Sequence, residues 1–163
     1  MPSRKPAPPT ELSEPATRVL RRFRLVFNTV KTHFQQVEKQ AGIGGAQLWA
    51  LSLIEARPGI GTGELARAMD VHQSTASNLV RALVARDFIQ ADKAGSDKRA
   101  VQLTLLPQGR AVLRKAPGPF TGVLPQALAA LDAQTLARLD ADLAQLITAL
   151  GGDERAANIP LGQ

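Results

Sequence analysis

Apolar residues recur along most of this chain at helical spacing. From Thr17 to Gln40, the residues Phe23, Phe27, Val30, Phe34 and Val37 alternate steps of four and three. That is the seam of a long amphipathic helix that packs lengthwise on others. Ala41-Gly42 ends it, and Gly44-Gly45 opens the next turn. Ala46 to Ala56 is nearly all apolar (Leu48, Trp49, Leu51, Leu53, Ile54), which predicts a helix buried on most sides and stopped by Arg57-Pro58-Gly59. Thr62 is expected to N-cap a short helix, with Glu64 in its first turn and Leu65, Ala66 and Met69 on its buried face. Asp70-Val71-His72 makes a turn. The helix after it buries Ala76, Leu79, Val80, Leu83 and Val84 and shows Gln73, Ser74, Ser77, Asn78 and Arg81 on the opposite side.

Beyond this helix the period changes. Phe88–Ala91 and Ala100–Leu105 read as short strands around a Lys93-Ala94-Gly95-Ser96-Asp97-Lys98-Arg99 connection, hence a β-hairpin. Pro107 starts a helix at its first turn. Pro117, Gly118, Pro119 and Pro125 predict a break or kink in the helical stretch after it. Asp132 caps a last helix in which Leu136, Leu139, Leu143, Leu146 and Leu150 step by three and four until Gly151-Gly152. Gly59-Ile60-Gly61-Thr62-Gly63 is expected to be a flexible loop, since no strand precedes it and no Lys-Ser/Thr pair succeeds it to cradle phosphate.

The expected fold class is mainly α with a small β-hairpin wing, in one domain. Residues 1–16, rich in Pro, form an extended tail, and 151–163 a frayed one. Between them, 46–107 is a winged helix-turn-helix lobe, and 17–45 with 108–150 supply helices for dimerisation. Two apolar seams at opposite ends of the chain favour a homodimer, because each long helix is too apolar to stand alone.

Composition narrows the chemistry. The 163 residues suffice for one core, and 44% are hydrophobic but only 4% aromatic, so that core is aliphatic. The formal net charge of +6 suits a polyanionic partner. Yet residues 1–24, with six basic residues against Glu11 and Glu14, hold +4 of it. Charge is therefore weaker support than the side-chain pattern. Cysteine is absent, which excludes disulfides, thiolate metal sites and thiol redox sensing. The first residues contain no apolar signal region and no run reaches transmembrane length, so a cytoplasmic protein without membrane attachment is expected.

The polar face of the helix from Gln73 is rich in Gln, Ser, Thr and Asn and poor in Glu and Lys, the pair an ordinary solvated face would prefer. Short amides and hydroxyls suit base edges and phosphates: Gln73 or Asn78 for adenine, Arg81 for guanine or phosphate, with Ser74, Thr75 and Ser77 beside them. Lys93, Lys98 and Arg99 fit an ordinary blunted turn, but just beyond such a helix they suit phosphates and the minor groove. Asp97 would be repelled by DNA unless it is paired, and a bridge to Arg99 explains it.

These residues resemble the MarR family of winged-helix transcriptional regulators. The likeness rests on Gln47-Leu48-Trp49-Ala50-Leu51, Gly63-Glu64-Leu65-Ala66, Ser74-Thr75-Ala76-Ser77, and above all Asp97-Lys98-Arg99 followed by a strand and Pro107-Gln108-Gly109-Arg110. It covers about residues 18–150. The resemblance implies a triangular homodimer whose two lobes bind a pseudo-palindromic operator in double-stranded DNA, often repressing until a small molecule binds. It places a minor-groove arginine on Arg99, held by Asp97. It also implies an effector pocket between the dimer helices and the lobe, where Trp49 would stack on a small aromatic carboxylate and His33 or Arg110 would meet its charge. Leu106 stands where members often have Thr before the helix-starting Pro.

Two other readings remain at this point. One is a winged-helix module that docks protein, whose mark would be an apolar exposed face on the helix from Gln73; the other is a constitutive DNA binder without effector. An enzyme is not expected. Two scattered His and no Cys leave no metal cluster or nucleophile–base pair at recognisable spacing, and no cofactor is called for.

Overall fold

The computed structural model describes residues 11–93 and 101–161, with 154 and 155 described by backbone alone. Among the described residues, seven α-helices and one antiparallel hairpin are arranged in the order α1 (Glu14–Ala41), α2 (Gly45–Ala56), α3 (Thr62–Met69), α4 (Gln73–Ala85), β1 (Ile89–Lys93), β2 (Val101–Leu105), α5 (Pro107–Lys115), α6 (Val123–Ala129) and α7 (Ala133–Leu150). The fold is mainly helical with a small β wing, as the sequence leads one to expect.

Helix α1 begins before Thr17. Ser13 caps it, its hydroxyl accepting the Ala16 N–H at 3.4 Å, and Pro15 falls in the first turn, where its missing donor costs nothing. Residues 14–16, read above as part of an extended tail, are thus helical. At the other end Gly42 closes the helix with φ 71° and donates its N–H to the Glu38 carbonyl.

The core lies where α2 crosses the lobe. Leu48, Leu51 and Ile54 of α2 are fully buried with Leu65, Leu83 and Leu103. The apolar stripe of α4 is narrower than its sequence implies: Ala76, Leu79 and Leu83 are buried, whereas Val84 is 39% exposed. Consecutive residues point about 100° apart around a helix, so Leu83 and Val84 do not share one buried line.

The hairpin pairs Ile89 with Leu105 through to Lys93 with Val101. Its inner residues Ile89, Leu103 and Leu105 are buried. The stretch expected to be a flexible loop is instead fastened to it. Gly59 N–H donates to the Leu103 carbonyl at 2.9 Å, Leu103 N–H donates to the Ile60 carbonyl at 3.0 Å, and Ile60 is buried. Thr62 is correspondingly not the cap of α3. Gly61 is, with the Glu64 carboxylate accepting its N–H at 2.9 Å.

The predicted break at Pro117–Pro125 separates α5 from α6. Asp132 caps α7 as expected, accepting the Thr135 N–H at 2.9 Å. No residue of α7 is buried, and its Leu136, Leu139, Leu143, Leu146 and Leu150 lie open. The α1 seam is covered unevenly, best in its second half. Val37 is buried, while Phe27 is 66% exposed.

Candidate nucleic-acid interface

The candidate surface is built outward from α4. Side chains four apart stack along one helix face, so Gln73, Ser77 and Arg81 form one row and Ser74 and Asn78 a second beside it. Gln73, Ser74, Asn78 and Arg81 are exposed, and Ser77 and Thr75 are half-buried. The apolar stripe from Ala76 to Leu83 anchors the opposite side in the core. The polar groups therefore face outward on a firmly packed rod, which is what a groove-reading helix requires.

Two contacts order this face. Arg81 donates to the side-chain oxygen of Asn78 at 3.1 Å, and the Ser77 hydroxyl donates to the Gln73 carbonyl at 2.8 Å. The second bond uses the hydroxyl's only proton but leaves its lone pairs available to donors.

A polar cleft opens beside Gln73 and Ser77, walled by Thr62, Glu64 and Arg67 of α3 and by Gln102 of β2. Sequence reasoning passed over Arg67 and Gln102. Arg67 was findable as an exposed cation in the last turn of α3, but Gln102 reaches this face only through the strand register. The helix-turn-helix geometry itself comes from Asp70, which takes a left-handed φ of 53° to end α3, and from His72, which starts α4. Lys93 does not sit at a free tip; it closes β1 opposite Val101. Asp97, Lys98 and Arg99 lie outside the described residues.

The residues expected at an effector site are not brought together. Trp49 is half-buried and lines an apolar cavity of about 400 Å³ with Val30, Phe34, Val71, Val123 and Leu124. His33 is buried, and it faces a different hollow lined by Leu25, Thr29 and Gly118. Val123 of α6 lines both spaces, with Val30 on one and His33 on the other. Arg110 is exposed on α5 and lines neither space. Phe34 was the missed ring: it packs directly over Gly45, where a Cβ would collide with it.

A two-strand wing behind a helix-turn-helix with an outward polar second helix is a winged helix-turn-helix lobe. Residues 41–100 match the MarR family. That match spans the MarR-like lobe and stops short of α5, α6 and α7. Known structures extend the likeness. A MepR-like protein complexed with pseudoligands is 16% identical, with a TM-score of 0.58 over 86% of this chain and 100% of that one. The S. aureus MepR–DNA complex is 18% identical, with a TM-score of 0.56 over 85% and 99%. A mutant E. coli MarR complexed with operator DNA is 19% identical, with a TM-score of 0.54 over 83% and 99%. At these identities the likeness speaks for the fold. No curated protein matches the chain by sequence.

Among the described residues, no group of three or more His, Asp or Glu is placed to hold a metal ion, and no helix is long and apolar enough to cross a membrane.

Proposed function

We propose that this chain is a sequence-specific DNA-binding transcriptional regulator that grips a pseudo-palindromic operator as a homodimer. The observation that carries this reading is the outward row Gln73, Ser74, Ser77, Asn78 and Arg81 on a helix whose other side is locked into the core. Amides and a guanidinium on that row match the donor and acceptor pattern of base edges in the major groove. The wing comes directly after it, with Lys98 and Arg99 for phosphate and the minor groove and Asp97 to orient Arg99. The MarR-family match over residues 41–100, and the operator- and DNA-bound states of two structural relatives, support the same partner.

Dimerisation is supported by the open apolar faces of α7 and of the first half of α1. Leu139, Leu143 and Leu150 are 37%, 40% and 74% exposed, a leucine seam with no cover of its own. A second copy supplies that cover and sets two α4 helices about one DNA turn apart, roughly 34–36 Å.

We extend the reading to a repressor released by a small aromatic effector that enters the cavity beside Trp49 and Phe34. His33 and Arg110 lie outside the lining of that cavity, so neither is assigned to a carboxylate on such a ligand. The polar face of α4 disfavours a module that docks protein through that helix.

Genomic fragments selected by the purified protein provide the probe. Wild type should bind them with an affinity that falls steeply as salt rises, because each phosphate contact releases counterions. The Arg81→Ala/Arg99→Ala double variant should bind far more weakly. A double variant indistinguishable from wild type, or a salt-independent affinity, refutes the DNA reading.

A further inference from the structure

The chain turns back after α7. Gly151 takes a left-handed φ of 64°, and Gly152 donates its N–H to the Ile147 carbonyl at 3.0 Å, so the helix ends in a reversal. A short 3-10 helix over Glu154–Asn158 comes next. The residues beyond it return to the body of the molecule. Ala157, Ile159, Pro160 and Leu161 form one wall of the apolar cavity that holds Trp49 and Phe34. At the same place the Asn158 side-chain nitrogen lies 3.3 Å from Nε2 of His72. An amide nitrogen can only donate, so the imidazole nitrogen accepts. His72 is the residue from which α4 starts. Within five consecutive residues, four thus line the cavity and Asn158 reaches the cap of the DNA-facing helix.

The segment is held lightly. Asn158 and Pro160 are half-buried, but Ile159 and Leu161 are each 55% exposed. Few buried contacts place a segment at the easily opened end of a protein's stability range. Its tether compensates, since a short linker keeps it near its site at an effective concentration of about millimolar order. Light contacts and a short tether together make an occupant that stays in place yet can be displaced.

We propose that residues 157–161 are an internal strap that competes with small apolar ligands for the Trp49 cavity, and that its release undoes the Asn158–His72 contact. Occupancy of the cavity is then felt at the start of α4. This deepens the proposed function by giving its ligand site a built-in competitor, but the measurements that test it use no DNA, so their failure leaves the operator-binding reading standing.

Trp49 is the only tryptophan, and His33 and His72 are the only histidines, so each half of the proposal has its own spectroscopic reporter. The test compares the full chain with a full-length Ile159→Ser/Leu161→Ser variant, using anilinonaphthalene sulfonate as the apolar probe. In the variant, Trp49 emission should move to the red and acrylamide should quench it more strongly. The probe should bind the variant about tenfold more tightly, the ratio expected if the strap closes the cavity to the probe in nine-tenths of wild-type molecules. In wild type, saturating probe should move the His72 ring resonances to their positions in the variant and leave those of the buried His33 in place. Unchanged quenching and equal probe affinity overturn the strap. A competing strap with an unmoved His72 overturns the link to α4.

Discussion

Arg81 donates a hydrogen bond to the side-chain oxygen of Asn78 at 3.1 Å, one helical turn back on the open face of α4. The contact ties the exposed guanidinium to its neighbour along the helix, and it uses the Asn78 oxygen rather than its amide nitrogen. An arginine aimed in this way is suited to bidentate recognition of guanine. Arg81→Ala should therefore cost about 1–3 kcal/mol of operator affinity and relax the preference at one base pair. Fluorescence anisotropy on a set of single-base operator variants measures both effects. A uniform loss across the set, with a shallower salt slope, would reassign Arg81 to phosphate.

The α7 seam makes a prediction about assembly. Leu139 and Leu143 project from a helix that buries none of its own residues. Leu139→Asp with Leu143→Asp would place two unpaired charges in any interface built on that seam, each costing about 3–5 kcal/mol when desolvated. Sedimentation should find a dimer for wild type and a folded monomer for the double variant. Wild type sedimenting as a single chain at micromolar concentration would end the dimer proposal.

Gly109 is constrained by what lies over it. A Cβ there would run into the Phe88 carbonyl oxygen and the Leu105 side chain, so α5 approaches the hairpin more closely than any other residue permits. Backbone cannot rotate aside as a side chain can. Gly109→Ala should destabilise the fold by about 1–3 kcal/mol, the usual cost of overpacking, as read by urea unfolding at constant m-value. Gly118→Ala, which meets nothing within 4 Å, serves as the control with little change.

Asp132 gives α7 a pH dependence of known sign. The Thr135 N–H and hydroxyl both donate to its carboxylate, and this holds the carboxyl below its ordinary value of 3.8. A group with a depressed folded-state value contributes stability above its unfolded value and loses it as the pH falls through the folded one. Asp132→Asn retains an acceptor without the charge. Thermal melts should show wild type ahead of this variant at neutral pH, with the gap closing only below the ordinary value of 3.8. A gap of equal size at every pH would show that the charge contributes nothing.

Much of this architecture was legible before any coordinates. Leu79 and Leu83 against Gln73, Asn78 and Arg81 announce both faces of α4, because a helix converts spacing into direction with no help from the rest of the chain. Pro107 at the start of α5 and Asp132 at the start of α7 are equally local, since each acts on backbone groups within one turn. The resemblance to the MarR family rests on the same short-range patterns. Thr62 shows where local signals stop. It looked like a cap on composition alone, but Gly61 takes that place because the hairpin fixes the backbone just ahead of it.

The order of helices, the hairpin and the polar face of α4 were therefore written in the chain itself, where each signal spans a turn or two. Tertiary packing alone decided that Ile60 joins the wing, that His33 and Trp49 line different spaces, and that Leu161 and Phe34 line one cavity across more than a hundred residues of sequence. Such contacts depend on how helices of fixed length cross and on which side each presents at the crossing. Periodicity sets the face of a helix, but the partner of that face is chosen by the packing of every other element around it.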